Sequence, residues 1–193
     1  MTTPIQLLCG ILYVETPPCA LYCATLGEAW AACTDGSWML RVAGRLSGPA
    51  WGDGRRPLVL ASCDCAELSL PMLEKRNPTD RRPRSAIEVS RRWGHGDPSV
   101  TPQDVRDADA ILWAAAADAL SPDGADAAWA AAYDAWSATG DFDASAAKSR
   151  VLAQCADVVR KHFPDLLRLM ISCDIAEVRL LAIANAGELE VAA

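Results

Sequence analysis

Between Ala108 and Ala147 the chain carries 18 alanines, seven aspartates (109, 118, 123, 126, 134, 141 and 143) and no lysine or arginine. Alanine at that density has high helix propensity and lets neighbouring helices approach closely. Trp129, Tyr133 and Trp136 fall at i, i+4 and i+7 on one stripe, with Asp126 and Asp134 off it. Low-complexity disorder lacks large aromatics at helical spacing, so the stretch reads as helix with its rings turned inward. Asp123, Asp126 and Asp134 are then expected as an unpaired acidic row, most easily rationalised if a basic partner covers it.

Helical signals continue outside this stretch. Thr25-Leu-Gly-Glu28 fits a capping box opening a helix from Leu26 to about Cys33. Ser37 is the expected cap of the next helix, where Met39, Val42, Ala43 and Leu46 recur at helical spacing. Three glycines and a proline in Ser47–Gly54 mark a loop, and Trp51 within it is expected to be exposed. The nearly continuous apolar run Pro57–Leu70 is expected to be the central, most buried helix, followed by a solvated connection to Pro83. Helices are further expected over Pro83–Trp93, closed by Gly94 and Gly96, and from Thr101-Pro102 to about Leu120. A helix from Ala144 ends at Pro164, and Leu166–Cys173 and Ile175–Ala186 complete the chain as terminal helices. The sum is a single compact all-α domain over residues 1–193, of about six to eight helices. A minor strand pair between Ile11–Val14 and Leu189–Val191 is the one β expectation.

The acidic stretch holds a charge of −7, equal to the net charge of the whole chain, so the remainder is neutral. Within that remainder, Glu74–Arg92 carries +4 through Lys75, Arg76, Arg81, Arg82, Arg84, Arg91 and Arg92. A sequence pI of about 4.8 disfavours direct nucleic-acid binding. The apolar run Ile5–Val14 is too short to span a bilayer, and no basic residue precedes it as in a signal peptide. The expectation is a cytoplasmic protein with no membrane partner.

Candidate chemistry is sparse. Cys19-x3-Cys23 and Cys63-Asp-Cys65 together offer four thiolates, but both pairs sit among helix-forming apolar residues. The eight cysteines therefore read as reduced core thiols, with no metal, cofactor or disulfide assigned. Of two histidines, His162 lies on a periodic helix face and reads as structural. His95, between two glycines and two residues from Asp97, is the only catalytic candidate, with Asp97 as its carboxylate. Arg81, Arg82, Arg84, Arg91 and Arg92 form a belt able to grip an anion through planar forks, or else a solvated face with pairs such as Glu88 with Arg92. No Walker loop, dinucleotide fingerprint, Gly-x-Ser-x-Gly elbow or His-Glu-x-x-His helix occurs. Enzymes of the common motif-bearing classes are disfavoured.

The stretches Leu26–Leu46, Arg56–Ala66 and Ala86–Trp93, together with the Ala/Asp-rich helix and Cys155–Pro164, resemble the bacterial and phage immunity-protein family with the Imm-5-like domain. The likeness covers roughly residues 25–164, leaving 1–24 and 165–193 as extensions expected to pack on that core. It implies a helical protein, Trp30, Trp38, Gly44 and the Cys63 helix as packing residues, and a non-enzymatic function. That function would be to neutralise a cognate toxin or effector by protein contact. The competing expectation is a phage or host counter-defence protein, sequestering an anionic nucleotide signal on the arginine belt or mimicking DNA with its aspartates.

Overall fold

A computed structural model describes residues 2–49, 51–76, 78–113 and 144–186. The described residues form a compact all-α domain with no strand among them. The helices are α1 (Pro4–Leu12), α2 (Leu26–Ala32), α3 (Gly36–Leu46), α4 (Arg56–Glu67), α5 (Leu70–Arg76), α6 (Arg82–Gly94), α7 (Pro102–Trp113), α8 (Ala144–His162), α9 (Leu166–Ser172) and α10 (Ala176–Ala186). Single 3-10 turns lie at Pro18–Ala20 and Asp53–Arg55. Ile11–Val14, expected as a strand, is instead the end of α1 and the turn behind it. Its expected mate Leu189–Val191 lies outside the described residues, as do Trp129, Tyr133 and Trp136.

Local chemistry sets the helix starts. Thr25 and Glu28 form the expected capping box on α2, and Thr3 with Gln6 forms another on α1. Thr101 and Asp104 exchange the same pair of bonds at α7. At α3 the cap is Asp35 rather than Ser37: its Oδ1 accepts from the Trp38 amide at 3.1 Å and from the Ser37 hydroxyl at 2.6 Å. A carboxylate accepts both bonds, so the serine becomes a second donor to the cap instead of the cap itself. The expected connection after Leu70 contains the two-turn helix α5. Pro71 explains the division: it has no amide to bond the Glu67 carbonyl, which ends α4 at Glu67, and it is tolerated in the first turn of α5.

The main core gathers α1, α2, α3, α8, α9, α10 and the inner face of α4. A smaller cluster of Trp93, Val100 and Val105, with Val59 and Val89 against it, lies on the far side of α4 under α6 and α7. Helix α4 is thus the wall shared by both clusters, yet α3 is the more buried helix. Nine of its eleven residues are buried, against four of twelve in α4. The buried Trp30 and Trp38 rings lie 6.1 Å apart, and each indole N–H finds a distant carbonyl at 2.8 Å, Phe163 for Trp30 and Glu15 for Trp38. Arg160 on α8 donates to the Cys33 carbonyl at 2.8 Å and the Trp30 carbonyl at 3.2 Å, satisfying acceptors left open at the end of α2.

The closest approach is at Gly36, the first residue of α3. A Cβ there would collide with the Cys155 Cβ and sit 2.6 Å from the Ala156 backbone nitrogen of α8. Backbone cannot step aside as a side-chain tip can. Gly36→Ala should therefore lower stability by about 3 kcal/mol, the upper end for overpacking. Gly27→Ala in α2, where a Cβ meets nothing within 4 Å, should be neutral or slightly stabilising. Urea unfolding midpoints check the contrast; equal midpoints for the two variants would contradict it.

Candidate functional site

Helix α6 turns Ala86 and Trp93 inward and leaves Arg84, Glu88, Arg91 and His95 along an outer stripe. Opposite that stripe, Asp64 and Glu67 stand three residues apart on α4. Between the stripe and Glu67 runs an open groove of about 450 Å³. Leu70 and Ile87 give it apolar surface, and Glu67, Arg84, Glu88, Arg91, Arg92 and His95 give it charged and polar edges.

Glu67 and the three arginines of this groove are held by ion pairs. Arg91 donates Nη1 to Glu67 and Nη2 to Asp64, each at 2.6 Å. The other oxygen of Asp64 meets His162 Nε2 at 2.8 Å, so one chain of contacts ties α6 to α4 and α4 to α8. Glu67 and then Asp64 favour the Arg91 cation and push its pKa up, against partial burial. Arg84 forks onto Glu74 of α5 at 2.8 and 2.9 Å, and Arg82 forks onto Asp80 at 2.8 and 2.6 Å. The Arg82 side chain and amide hold the Asp80 carboxyl down at about 2. Arg92 bonds Asp97 at 2.9 Å and the Ser99 hydroxyl at 2.8 Å, in place of the Glu88 pair that helical spacing suggests. Arg81 is exposed. Of the five belt arginines, four are already engaged by carboxylates.

His95 caps α6 through its backbone amide, which bonds the Arg91 carbonyl at 2.9 Å, and Gly96 then turns the chain with φ of 79°. Its ring makes no hydrogen bond to Asp97, whose oxygens go to Arg92 and to the amide and hydroxyl of Ser99. Sequence proximity thus places both residues at one helix end without joining them. Cys63, beneath the groove, is buried with its thiol directed at the Ile87 carbonyl, and burial pushes its pKa up to about 12. Cys65 faces the opposite way, toward the Cys155 carbonyl at 3.8 Å, and Cys19 and Cys23 sit at the loop after α1. The four thiols are not brought together, and no group of three or more possible metal ligands stands among the described residues. Asp123, Asp126 and Asp134 lie outside the described residues.

Two features escaped the sequence reading. His162 was assigned a structural place without its partner Asp64, which stands 98 residues away. Trp51 is 39% exposed as expected, but it is also the centre of a stack: its ring meets Trp93 edge-on at 5.5 Å and carries the Arg106 guanidinium at 5.0 Å. The backbone at Trp51 is left-handed, with φ of 64°. No local signal announces a tryptophan in that conformation.

The arrangement is suited to recognition by fixed charge around an aliphatic strip, on an all-helical scaffold. The family model described as Imm-5 like putative immunity protein matches residues 52–156, and the chain belongs to that family. The match runs from just after Trp51 through α4, α5, α6 and α7 into α8, and leaves Leu26–Leu46 outside it. No curated protein and no solved structure matches the chain.

The ionic contacts carry a pH signature. Asp97 is held at about 2, first by the Ser99 hydroxyl, then by the Ser99 amide and Arg92. A carboxyl whose folded value lies below its unfolded value favours the folded state above about pH 4 and gives up that contribution as pH falls through the lower value. A carboxyl-detected NMR titration should place Asp97 near 2, with Arg92→Ala raising it and Ser99→Ala raising it further. An ordinary value in the unmodified protein, or no response to Ser99→Ala, would contradict the assignment.

Proposed function

We propose that this protein neutralises a cognate toxin or effector by protein contact, without turning over a substrate. Family membership carries this reading. The match over residues 52–156 encloses both the α4–α6 groove and the whole acidic stretch from Ala108 to Ala147, whereas α1, α2, α3, α9 and α10 lie outside it. Both charged segments suited to a charged partner thus fall in the part that defines the family. The groove supplies short-range fit: Arg84 and Arg91 are pinned by Glu74, Glu67 and Asp64, so the charge mosaic needs little reorganisation when a partner docks. The acidic stretch, with its charge of −7, supplies long-range attraction for a basic partner, with Asp123, Asp126 and Asp134 as its contact residues.

Sequestration of an anionic nucleotide is the weaker reading. A phosphate entering the belt would have to displace carboxylates from Arg82, Arg84, Arg91 and Arg92, each held at 2.9 Å or less. Catalysis by His95 and Asp97 would require the two side chains to part from their present surroundings and meet. No described helix is long and apolar enough to cross a membrane.

Affinity capture from the native host should recover a protein encoded beside this chain's gene. Association with it should slow about tenfold between low and physiological salt, and slow further in Asp126→Lys/Asp134→Lys with the circular dichroism spectrum unchanged. Association indifferent to salt and to both reversals would contradict electrostatic steering. Catalytic turnover by the isolated chain, lost in His95→Ala, would overturn the proposal itself.

A further inference from the structure

Among the eight cysteines, all free, one pair stands out by position. Cys19 lies on the 3-10 turn Pro18–Ala20, half-buried, and Cys33 is the fully buried C-cap of α2. Their sulfurs are 3.3 Å apart, with the Cys19 thiol donating to the Cys33 sulfur. A disulfide needs about 2 Å, so closure asks for little more than a side-chain adjustment. Access is one-sided: a reagent can reach Cys19, whereas Cys33 can be reached only from Cys19. Cys65 with Cys155 is buried at both members and closed to reagents, and the half-buried Cys23 directs its thiol at the Cys19 carbonyl, at 3.7 Å, rather than at its sulfur.

We propose that Cys19 and Cys33 are a modification site, an oxidisable dithiol that closes into a reversible disulfide when it meets a low-molecular-weight disulfide. The Cys19 thiolate attacks one sulfur of the reagent RSSR, forming a Cys19–SR bond, and the first RS⁻ leaves and takes up a proton. Cys33 then loses its proton to solvent and attacks the Cys19 sulfur, breaking the Cys19–SR sulfur–sulfur bond, and the second RS⁻ leaves and takes up a proton. Two cysteine thiols are oxidised by two electrons and one RSSR is reduced to two RSH. Burial pushes the Cys33 thiol well up, so the second attack quickens as pH rises.

The bridge would stand beside the supports of α3. The Asp35 amide, which belongs to the cap of α3, points at the Cys33 sulfur at 3.4 Å, and the Cys33 carbonyl is held by Arg160. Linking this point to the loop after α1 cross-links two segments outside the family-matched part and tightens the packing of α3.

The test incubates the full folded chain with glutathione disulfide, blocks free thiols and maps peptides. The expected product has lost about 2 Da and two free thiols, carries a Cys19–Cys33 linkage, melts higher than the reduced chain and reverts with dithiothreitol. Cys33→Ala should stop at a glutathione adduct on Cys19, and Cys23→Ser should still form the bridge. A stable Cys19 adduct in the unmodified chain, a Cys19–Cys23 linkage, or no reaction at Cys19 would each overturn the proposal.

Discussion

Everything in this fold depends on how closely α3 can lie on α8. Gly36 makes that contact without a side chain, directly against Cys155 and Ala156, and the same core holds further small residues: Ala43 on α3, Ala61 and Cys65 on α4. All of these are fully buried. Small residues let backbones approach, and close approach is what allows a helix as buried as α3 to fill its surroundings without voids. The larger side chains Met39, Leu40, Val42 and Leu46 then occupy the space around the seam. A methyl group at Gly36 would pry α3 from α8 and loosen both.

The seam also governs the groove. Helix α4 packs on α3 and α8 with one face and on α6 with the other, so its placement fixes Asp64 and Glu67 relative to Arg91. The Asp64–His162 contact runs back to α8, linking the groove edge to the same helix that Gly36 touches. Individually these part-exposed ion pairs contribute little to stability, about 0–1 kcal/mol each. Their importance lies in arrangement: each guanidinium is aimed, so under the proposed function a partner would meet a surface already ordered. In the same arrangement four of the five belt arginines, Arg82, Arg84, Arg91 and Arg92, have carboxylate partners within the molecule.

What was legible in the sequence was local or periodic. The capping box at Thr25, the proline starts of α4, α6 and α7, and the glycine end of α6 are written within a few residues each, and the all-α fold follows from them. The resemblance to the immunity family likewise rested on short motifs. Errors arose where two local solutions competed: Asp35 and Ser37 are both good caps, and only the bond directions decide. Pro71 read as part of a connection, although it both ends α4 and starts α5. Contacts between distant residues left no trace: Asp64 with His162, Arg84 with Glu74, and Cys19 with Cys33 depend on helix placement rather than spacing. Cys63 and Cys65, expected as core thiols, are both buried but face opposite sides of α4.

The central claim is that a scaffold set by the α3–α8 seam presents the α4–α6 groove, ready-made, to a protein partner. Hydrogen–deuterium exchange of the chain, alone and with the toxin or effector encoded beside its gene, tests this most directly. The account predicts that the complex protects residues 64–70 and 84–97 while α1 and α10 exchange as before, and that exchange in α3 and α8 is slow in both states. Protection confined to α1 and α10, or a groove that is unprotected in a saturated complex, would contradict it.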